Sequence, residues 1–263
     1  MNKIKQIKIA LYKIKEIIKL FFKRIVFKKN NECANFVLAE KLAFFVYPEY
    51  RFSEFGRIWL EDKKFFHYYE KYDKNNYHSA DRKFFLKSLL SLIQNLYGDT
   101  AECGVYMGAS SEIICEAIKN IAKKHHLFDS FEGLSNPLAE DGDYWGKGNL
   151  KAELESVKKN LADYSFIEYH KGWIPERFSD VGKNIFCFVH IDVDLYQPTF
   201  ESLKFFYPRM VKDGIIVCDD YGFSTCPGAK QAFDEFMKGK PESIIHVPTG
   251  HALLLRNNNY VSK

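Results

Sequence analysis

The stretch Cys187–Tyr196 reads CFVHIDVDLY, an apolar run that ends in two aspartates one residue apart. A second apolar run, in residues 215–222, reads IIVCDDYG and ends in two adjacent aspartates. Short apolar runs of this kind are typical of strands that are buried in a parallel sheet. The four carboxylates that follow the runs belong to Asp192, Asp194, Asp219 and Asp220. If the two strands are neighbours, these carboxylates converge at one edge of the sheet, where they repel one another unless a cation neutralises them.

From about residue 99 onward, short apolar segments alternate with amphipathic ones. The segments predicted as strands read TAECGV, HLFDSF, SFIEYH, NIFCFVHID, GIIVCDD, SIIHVP and HALLLR, and the predicted helices cover residues 110–124, 151–161, 199–210 and 228–237. This alternation favours a Rossmann-like α/β fold, with a mostly parallel, seven-stranded sheet and helices on both faces. Ligands of such sheets bind beyond the carboxyl ends of the strands, so the residues that follow each strand are the candidates for a site.

We expect three parts in this chain of 263 residues. Residues 1–30 are predicted to form a basic amphipathic helix, residues 31–98 a helical N-terminal region that can act as a lid, and residues 99–263 the Rossmann-like domain. Within the middle part, DRKFFLKSLLSLIQNLYG predicts a strong helix that ends near Gly98.

The first 30 residues carry ten lysines and arginines and a single acid, Glu16, so their net charge is +9; the remaining chain carries −5, since the whole chain carries +4. Apolar residues recur there at steps of three and four, on one helical face: Ile4, Ile7, Leu11, Ile14, Ile18, Phe21 and Ile25. Uncharged runs in this arm are at most four residues long, too short for a membrane span or for the core of a secretory signal.

Three interpretations of the arm remain open. It lies on an anionic membrane surface, it packs in a dimer or against the body of the protein, or it binds nucleic acid. The third is disfavoured because no aromatic-and-basic groove pattern accompanies the lysines. We therefore expect a cytoplasmic homo-oligomer without a nucleic-acid partner, with possible peripheral contact to the inner face of the membrane through residues 1–30.

The six cysteines do not form a recognisable metal or disulfide pattern, because no two are spaced as CxxC. Several lie in apolar runs that are predicted as strands. We expect reduced thiols in the core rather than disulfides or a zinc site.

A glycine-containing loop, ECGVYMGAS, follows the first predicted strand and opens a helix. Gly104 and Gly108 permit a tight turn and a close backbone approach. Ser110 and Ser111 are good N-cap residues, and a helix N-terminus favours an anionic group such as a carboxylate or a phosphate. The spacing differs from the GxGxxG of dinucleotide folds and lacks the lysine of a P-loop, so a plain strand–turn–helix connection remains an alternative.

The second predicted strand, in LFDSFEG, ends at Asp129, about 20 residues after Gly108. An acid at that position can accept hydrogen bonds from both ribose hydroxyls of a nucleoside. A glycine loop, a helix N-terminus suited to a carboxylate and an acid for the ribose together favour S-adenosyl-L-methionine as cofactor, because its tail is an amino acid rather than a pyrophosphate.

The aspartates after the fourth and fifth strands supply hard oxygen ligands, which suit Mg²⁺ better than zinc. No His/Cys set with zinc spacing is present. Each aspartate alone could instead cap the turn or helix that follows it. Both pairs together favour a metal site.

These segments together resemble a known family. The stretches AECGVYMGASS, FDSFEGL, KGWIPERF, HIDVDLYQPTFESLKFFYPRM and DGIIVCDDYG, the last followed by CPGAKQAFDEF, look like the macrocin O-methyltransferase (TylF) family. The resemblance runs in order from about residue 85 to about residue 255. It implies a class I methyltransferase fold, S-adenosyl-L-methionine and Mg²⁺ as cofactors, and methylation of a sugar hydroxyl in a glycoside, a nucleotide sugar or a surface glycan precursor. The loop of residues 134–150, which would face the acceptor, is only loosely similar, so the acceptor's identity does not carry over.

The resemblance also implies roles for individual residues. Asp192, Asp219 and Asp220 match the metal ligands, and Asp194 matches the position of a general base. A sugar hydroxyl is a poor nucleophile, so a metal that stabilises its alkoxide and a carboxylate that takes its proton fit the reaction. The residues expected to bind the donor are Glu102, Gly104, Tyr106, Gly108, Ser110, Ser111, Asp129, Gly172, Trp173 and Asp192.

Other side chains have simpler interpretations. His190 is expected to be a core or supporting histidine, and Cys226 has no neighbouring base that would make it a nucleophile. Packing is an alternative role for Tyr106 and Trp173. In the loop of residues 134–150, which we interpret as a mobile lid, Tyr144 and Trp145 could stack on a sugar ring, and the acids Glu140, Asp141 and Asp143 are expected to be solvated.

Two other functions stay open: a non-catalytic nucleotide-binding or membrane-associated scaffold that keeps the fold, and a methyltransferase of a non-sugar small molecule. A methyltransferase of nucleic acid or protein is disfavoured. No N/D-P-P-Y/F motif follows the fourth predicted strand, and the negative body would repel a phosphate backbone.

Overall fold

The computed structural model describes residues 11–22, 32–46, 59, 61–72 and 79–257. The chain divides into two compact units, residues 1–62 and residues 63–263. In the first unit, α1 covers residues 11–22, which are the described part of the predicted basic helix, and α2 covers Glu32–Val46. A search of the described helices finds none with the length and apolar character of a membrane span.

The second unit alternates helices and strands. Its first helices are α3 (Lys63–Tyr72) and α4 (Ala80–Leu89), and a 3₁₀ helix, Leu90–Ile93, continues α4. The strands are β1 (Asp99–Cys103), β2 (His125–Asp129), β3 (Ile167–Lys171), β4 (Phe186–Ile191), β5 (Met210–Cys218), β6 (Ile245–His246) and β7 (Ala252–Leu255). The later helices are α5 (Ala109–Ile118), α6 (Leu154–Asn160), α7 (Tyr196–Phe206) and α8 (Pro227–Met237), with 3₁₀ helices at Ala139–Asp141, Glu176–Val181 and Tyr207–Arg209.

The seven strands form one sheet in the order β3-β2-β1-β4-β5-β7-β6. Strands β1 to β5 run parallel to their neighbours, whereas β7 pairs antiparallel with β5 and with β6. This confirms the predicted α/β fold with a mostly parallel, seven-stranded sheet. The chain moves outward from β1 to β3 and then returns to place β4 on the other side of β1, so the strand order reverses between β1 and β4.

Each face of the sheet is covered by its own layer of helices. On one face, Leu86 and Leu90 from α4 and its extension pack with Ile114 of α5 against Phe188 and Val217 of the strands. Residues from Lys63 onward belong to the compact unit that contains the sheet, so the boundary between units lies inside the predicted middle part, 31–98. Helix α4 therefore belongs to the α/β unit and packs on its sheet.

On the opposite face, Phe206 of α7 and Phe233 of α8 belong to a second cluster, which also contains Phe128, Phe186 and Ile216 of the strands. All five side chains are fully buried. Strands covered on both sides must be apolar throughout, which is why the predicted strands read as continuous apolar runs.

Two helix boundaries differ from the predicted ones for identifiable reasons. Helix α5 ends at Ile118 instead of continuing to residue 124, and Lys123 beyond it donates hydrogen bonds to the carbonyl oxygens of Leu96 and Gly98. Helix α7 begins at Tyr196, three residues earlier than predicted, because a carboxylate accepts the otherwise unpaired N–H of Tyr196.

The cysteines of the described core are free and buried: Cys103, Cys115, Cys187, Cys218 and Cys226. This agrees with the expectation of reduced core thiols. The side chain of Cys33 lies outside the described part of the chain.

Candidate active site

A cavity of about 310 Å³ opens at the carboxyl ends of β3, β2, β1 and β4. It includes the point where the strand order reverses, which is the usual ligand site of an open α/β sheet, and its volume suits a small molecule. The predicted site residues that line it are Gly104, Tyr106, Ser110, Asp129, Gly172, Trp173, Asp192 and Asp194. The structure therefore brings most of the predicted residues together at one place.

Gly104 follows β1 with a positive φ of 83° and lies against the end of β4. A Cβ at this position would overlap the carbonyl oxygen of Asp192. The N–H of Asp192 donates to the carbonyl of Cys103 at 2.8 Å, and the N–H of Gly104 donates to the carbonyl of Phe128 at 2.9 Å. The glycine thereby allows the ends of β2, β1 and β4 to meet at the floor of the cavity.

Asp129, the last residue of β2, holds the glycine loop in place. Its Oδ2 accepts the N–H groups of Val105 at 2.7 Å and Tyr106 at 3.2 Å, and its Oδ1 accepts the N–H of Phe131 at 2.6 Å. Burial raises the pKa of this carboxyl, while the three N–H donors act in the opposite direction. Oδ2 thus uses both of its lone pairs, whereas Oδ1 accepts a single N–H and keeps one lone pair with which it can accept from a ribose hydroxyl.

The N-terminus of α5 faces the cavity beside a buried lysine. The N-cap is Gly108, and no side chain caps the first turn. Lys83 of α4 is only 2% exposed, lines the cavity and donates a hydrogen bond to Ser110 Oγ. Burial lowers the pKa of its ammonium group, and the neighbouring carboxylates of Asp219 and Asp192 act in the opposite direction.

Glu102 and Ser111 lie under the cavity rather than in its lining. Ser111 donates a hydrogen bond to Glu102, and His190 Nδ1 lies 3.0 Å from Glu102 Oε1. Burial disfavours the charge of Glu102, but His125 and His190 outweigh it and lower the pKa of the carboxyl to about 2. Glu102, Ser111 and the N-cap Gly108 lie where they support the glycine loop. Direct contact of these three residues with a donor remains a prediction.

His190 of β4 connects Glu102 to Asp219, since its Nε2 lies 3.1 Å from Asp219 Oδ1. Burial lowers the pKa of this imidazole, but its bonds to Asp219 and Glu102 raise it to about 10 overall. At neutral pH the ring therefore donates from both nitrogens. This is the supporting position expected for His190.

Asp219 is bonded on both carboxylate oxygens. His251 Nε2 lies 2.9 Å from its Oδ1, and Arg82 of α4 forms an ion pair with its Oδ2. Arg82 also donates to the Asp219 carbonyl at 2.9 Å, and its guanidinium lies 4.1 Å from the ring centroid of Phe223. A positive charge thus occupies part of the gap at the acidic strand ends, which the sequence analysis did not predict.

The remaining aspartates converge at the ends of β4 and β5. Asp194 has a positive φ of 59°, and its N–H donates to Asp220 Oδ2 at 2.9 Å. The thiol of Cys226 donates to Asp194 Oδ1 at 3.4 Å. Burial, together with the neighbouring carboxylates, raises the pKa values of Asp192, Asp194 and Asp220, that of Asp194 to about 7.

Two groups of side chains in this region have ligand atoms within 4.8 Å of one another, close enough to share a cation. The groups are His190 with Asp192 and Asp219, and Asp194 with Asp220 and Cys226. His190 donates from both ring nitrogens, so the oxygen donors of the first group are those of the two aspartates. The three predicted ligands are therefore divided between the two groups. Oxygen donors whose mutual repulsion raises their pKa values fit a hard divalent cation such as Mg²⁺. Arg82 and two histidines already bond the Asp219 carboxylate, so a metal would have to share this residue with them.

The loop of residues 134–150 contributes to the cavity wall, and the prediction that all of its acids are solvated is wrong for Asp141. Asp141 is only 2% exposed. Its Oδ1 accepts the N–H of Tyr196 at 2.6 Å, and its Oδ2 accepts the N–H of Leu138 at 2.7 Å. The carboxylate fastens the loop to the start of α7, whereas Glu140 and Asp143 are exposed as expected.

Trp145 is the aromatic residue of this loop that lines the cavity. Its Nε1 donates to Cys226 Sγ at 3.3 Å, and burial raises the pKa of that thiol, which does not suit a nucleophile. Tyr144 packs edge-on against Trp145 and is 64% exposed. Trp145 is therefore the better placed of the two to contact an acceptor.

Gly172 and Trp173 mark the other end of the cavity, after β3. Gly172 has a φ of 144°, and its N–H donates to the carbonyl of Asp129 at 3.0 Å. From there to Asp194 the cavity crosses the ends of four strands, a span of about 14 Å at the usual strand spacing. An elongated ligand fits such a cleft.

Arg82 and Lys83 are the residues of this region that the sequence analysis missed. Lys83 precedes Leu86 by three positions and Leu90 by seven, so it falls on the face of α4 that packs on the sheet. A basic residue on the apolar face of a helix was the signal that could have identified it.

Known proteins resemble this chain over about half of its length. Demethyldecarbamoylnovobiocin O-methyltransferase from Streptomyces niveus is 27% identical over 162 residues, 54% of this chain and 59% of that protein. 8-demethyl-8-(2,3-dimethoxy-alpha-L-rhamnosyl)-tetracenomycin-C 4'-O-methyltransferase from Streptomyces olivaceus is 27% identical over 152 residues, 52% of this chain and 58% of that protein. The chain thus spans less than two thirds of the length of these curated relatives.

A solved structure described as that of the O-methyltransferase NovP superposes with a TM-score of 0.56 at 23% identity, covering 69% of this chain and 83% of that one. At this identity the likeness shows a shared fold. Residues 86–249, more than half of the chain, match the family described as Macrocin-O-methyltransferase (TylF). The arrangement of strand-end aspartates, glycine loop and parallel sheet is therefore that of a member of the Macrocin-O-methyltransferase (TylF) family, to which this chain belongs.

Proposed function

We propose that this chain is an S-adenosyl-L-methionine-dependent O-methyltransferase that uses Mg²⁺ and acts on a hydroxyl of a sugar-containing acceptor. The acceptor class comprises glycosides, nucleotide sugars and surface glycan precursors. The observation that carries the proposal is the convergence of acidic side chains after β4 and β5 beside a cavity at the reversal of strand order. Family membership supports the proposal, and so do the names of the two relatives, one of which methylates a compound that carries a rhamnosyl group.

The donor would extend along the strand ends. Trp173 and Gly172 flank the end of the cavity suited to adenine, and Asp129 lies between them and the glycine loop, where a ribose would meet its carboxylate. The amino-acid part of the donor would then lie against Gly104 and the start of α5. Gly104 carries no side chain, which leaves room for this part of the donor.

The metal would be held by oxygen donors from Asp192, Asp219 and Asp220. When bound, Mg²⁺ would supply Lewis acidity, lowering the pKa of an acceptor hydroxyl. The residues of the chain position the ligands: His190 and Arg82 orient Asp219, and the N–H of Asp194 orients Asp220.

Asp194 would act as the general base. Its carboxylate lines the cavity, and burial followed by the charge of Asp192 raises its pKa to about 7, a value suited to taking a proton near neutral pH. In the reaction the acceptor oxygen forms a bond to the methyl carbon, the methyl–sulfur bond breaks, and its electron pair stays on sulfur. The hydroxyl proton goes to Asp194, and the sulfonium becomes a neutral thioether.

The test is transfer of a labelled methyl group from S-adenosylmethionine to glycans and glycosides extracted from the host. Asp194→Asn is expected to lower turnover by about 100-fold or more, as loss of a general base does, while binding of S-adenosylhomocysteine by calorimetry stays within about twofold. Asp213→Asn is the matched control, because Asp213 is exposed and has a similar φ of 63°. Undiminished turnover in Asp194→Asn would contradict the assigned role.

The same assay separates the alternatives. Binding of S-adenosylhomocysteine without transfer to any acceptor would favour a non-catalytic scaffold. Transfer to aglycones that lack a sugar, but not to glycosides, would favour a methyltransferase of a non-sugar small molecule.

We also propose that α1 binds an anionic membrane surface. Leu11, Ile14, Ile18 and Phe21 share one helical face and are 60%, 39%, 50% and 50% exposed. Apolar steps of three and four also suit a helical dimer, but two arms that each carry a net +9 repel one another, whereas anionic lipid attracts them. Charge complementarity therefore favours lipid as the occupant of this face.

Co-sedimentation with vesicles tests this proposal. The full chain is expected to sediment with phosphatidylglycerol vesicles and not with phosphatidylcholine vesicles, and Ile18→Glu is expected to abolish sedimentation. Leu92→Glu, which changes a 61% exposed apolar residue of the second unit, is the matched control. Sedimentation of Ile18→Glu at the wild-type level would overturn the proposal.

The homo-oligomer and the location on the inner face of the membrane remain predictions.

A further inference from the structure

Cys226, the N-cap residue of α8, lies between the loop of residues 134–150 and the proposed base Asp194. It is only 3% exposed. Trp145 Nε1 donates to its Sγ at 3.3 Å, and the thiol donates to Asp194 Oδ1 at 3.4 Å. The mechanism proposed above gives this buried thiol no part in the reaction.

The chemistry of the three groups sets the direction of both hydrogen bonds. An indole nitrogen only donates, and an ionised carboxylate only accepts. A thiol does both, so Cys226 is the link that connects Trp145 to Asp194. Hydrogen bonds in such a buried chain polarise one another.

The loop that carries Trp145 also meets the start of α8 at a second point. A Cβ at Gly228 would overlap Asp141 Oδ1, the same oxygen that accepts the N–H of Tyr196 at the start of α7. The loop is therefore docked on the helix that follows Asp194 and on the helix that follows Cys226. This docking fixes the indole relative to the base.

The hydrogen bond from Cys226 also fixes the orientation of the Asp194 carboxylate. Asp194 lines the cavity, and the thiol bond on Oδ1 leaves Oδ2 for the proton of an acceptor hydroxyl. A general base must lie within hydrogen-bond reach of the proton that it takes, and a small misplacement slows the reaction. Free rotation of the carboxylate would turn Oδ2 away from the acceptor.

We infer that Cys226 is a positioning residue, whose thiol, held by the indole of Trp145, orients Asp194 for removal of the acceptor's proton. The inference rests on the proposed function, from which it takes the role of Asp194. The thiol keeps its own proton and forms no bond to the substrate. Because Trp145 also lines the cavity, the chain of hydrogen bonds joins the wall that would contact the acceptor to the base.

Comparison of Cys226→Ala with Cys226→Ser tests the inference, in the transfer assay with the host extract at saturating S-adenosylmethionine. Cys226→Ala is expected to lower turnover about 5- to 10-fold, the effect of losing one hydrogen bond. Cys226→Ser is expected to stay within about threefold, because a hydroxyl also donates and accepts. Binding of S-adenosylhomocysteine by calorimetry should stay within about twofold in both. A thiol that only packs predicts the reverse order, since serine buries a hydroxyl and alanine does not.

A double-mutant cycle shows whether the thiol acts through the base. In the Asp194→Asn background, Cys226→Ala is expected to change the remaining turnover by less than about twofold, because no base is left to orient. A purely structural role would lower turnover by the same factor in both backgrounds.

Cys187→Ala is the matched control. Cys187 is also fully buried, and its thiol likewise donates one hydrogen bond at 3.4 Å, to the carbonyl of Gly98, but it lies at the amino end of β4, away from the cavity. Its loss is expected to lower stability while turnover stays within about twofold.

Hydrogen exchange of the Trp145 indole N–H, followed by NMR on the full chain, tests the link without turnover. Exchange is expected to be slow in the wild-type chain and in Cys226→Ser, and at least severalfold faster in Cys226→Ala, where the N–H loses its acceptor. Trp145→Phe identifies the signal. It also serves as the activity test if Cys226→Ala does not fold, with a severalfold loss of turnover expected.

Turnover in Cys226→Ala equal to or above that of Cys226→Ser, or an undiminished effect in the Asp194→Asn background, would overturn the inference and leave the proposed function standing. Unchanged indole exchange in Cys226→Ala would overturn it too, as would wild-type turnover in Trp145→Phe. If the wild-type chain transfers no methyl group to any acceptor, the proposed function fails, and the inference fails with it.

Discussion

Gly104 shows most directly how one residue determines the shape of the cavity. Its positive φ disfavours any side chain, and a Cβ would also overlap the backbone of Asp192. We expect Gly104→Ala to lower the free energy of unfolding by clearly more than about 1 kcal/mol, which is the usual effect of the backbone conformation alone.

Gly148→Ala is the control for that measurement. Gly148 has a similar φ of 81°, and a Cβ there would meet nothing within 4 Å. Urea unfolding of both variants separates the clash from the backbone strain. Equal losses in the two variants would show that the close approach at Gly104 does not constrain the fold.

Most of the residues that the sequence could identify lie at the carboxyl end of a strand or shortly after it. Asp129 and Asp192 are examples, because an apolar run shows where the strand ends and the fold determines what lies there. Asp141 and Lys83 could not be identified in this way. Their partners, Tyr196 and Ser110, are 55 and 27 residues distant, and no local pattern encodes such a pairing.

Among the elements, the loop of residues 134–150 is fastened to the start of α7 by one buried carboxylate, that of Asp141. We expect Asp141→Ala to release it, because the N–H groups of Tyr196 and Leu138 lose their acceptor. A buried hydrogen bond of this kind is worth about 1–3 kcal/mol when one partner is removed. Limited proteolysis should therefore cut this loop faster in Asp141→Ala than in the wild-type chain.

Asp143→Ala provides the comparison, since Asp143 lies in the same loop and is exposed. Its cleavage rate should match that of the wild-type chain. Equal cleavage of the two variants would show that Asp141 does not fasten the loop.

Hydrophobic patterns predicted which helices and strands exist, but they did not predict the residues at which these elements begin and end. The beginning of α7 depends on the Asp141 carboxylate from a distant loop, and the turn after α5 on the Lys123 ammonium. Helix boundaries that depend on tertiary hydrogen bonds are not encoded in the local pattern. The assignment of α4 to the sheet unit likewise required its packing against α5 and the strands.

For the whole molecule, alternation of strands and helices predicted the fold class, and the resemblance to a family supplied the rest. The alternation alone does not determine the order β3-β2-β1-β4-β5-β7-β6, in which β7 lies between β5 and β6. That order nevertheless places β4 beside β5, and so brings four acidic side chains to one edge of the sheet. The positive charges of Arg82, Lys83 and His190 partly compensate these carboxylates, which the pattern of strands gave no means of predicting.

The central claim is that these acidic strand ends bind a divalent cation beside the methyl donor. Electron paramagnetic resonance of Mn²⁺, which shares the preference of Mg²⁺ for oxygen ligands, tests it most directly on protein saturated with S-adenosylhomocysteine. We predict one tightly bound ion per chain in the wild-type protein, and at least about a tenfold weaker affinity in Asp192→Asn and in Asp220→Asn, as loss of a ligand charge should cause. Absence of bound Mn²⁺ in the wild-type protein, or binding that neither substitution weakens, would contradict the account.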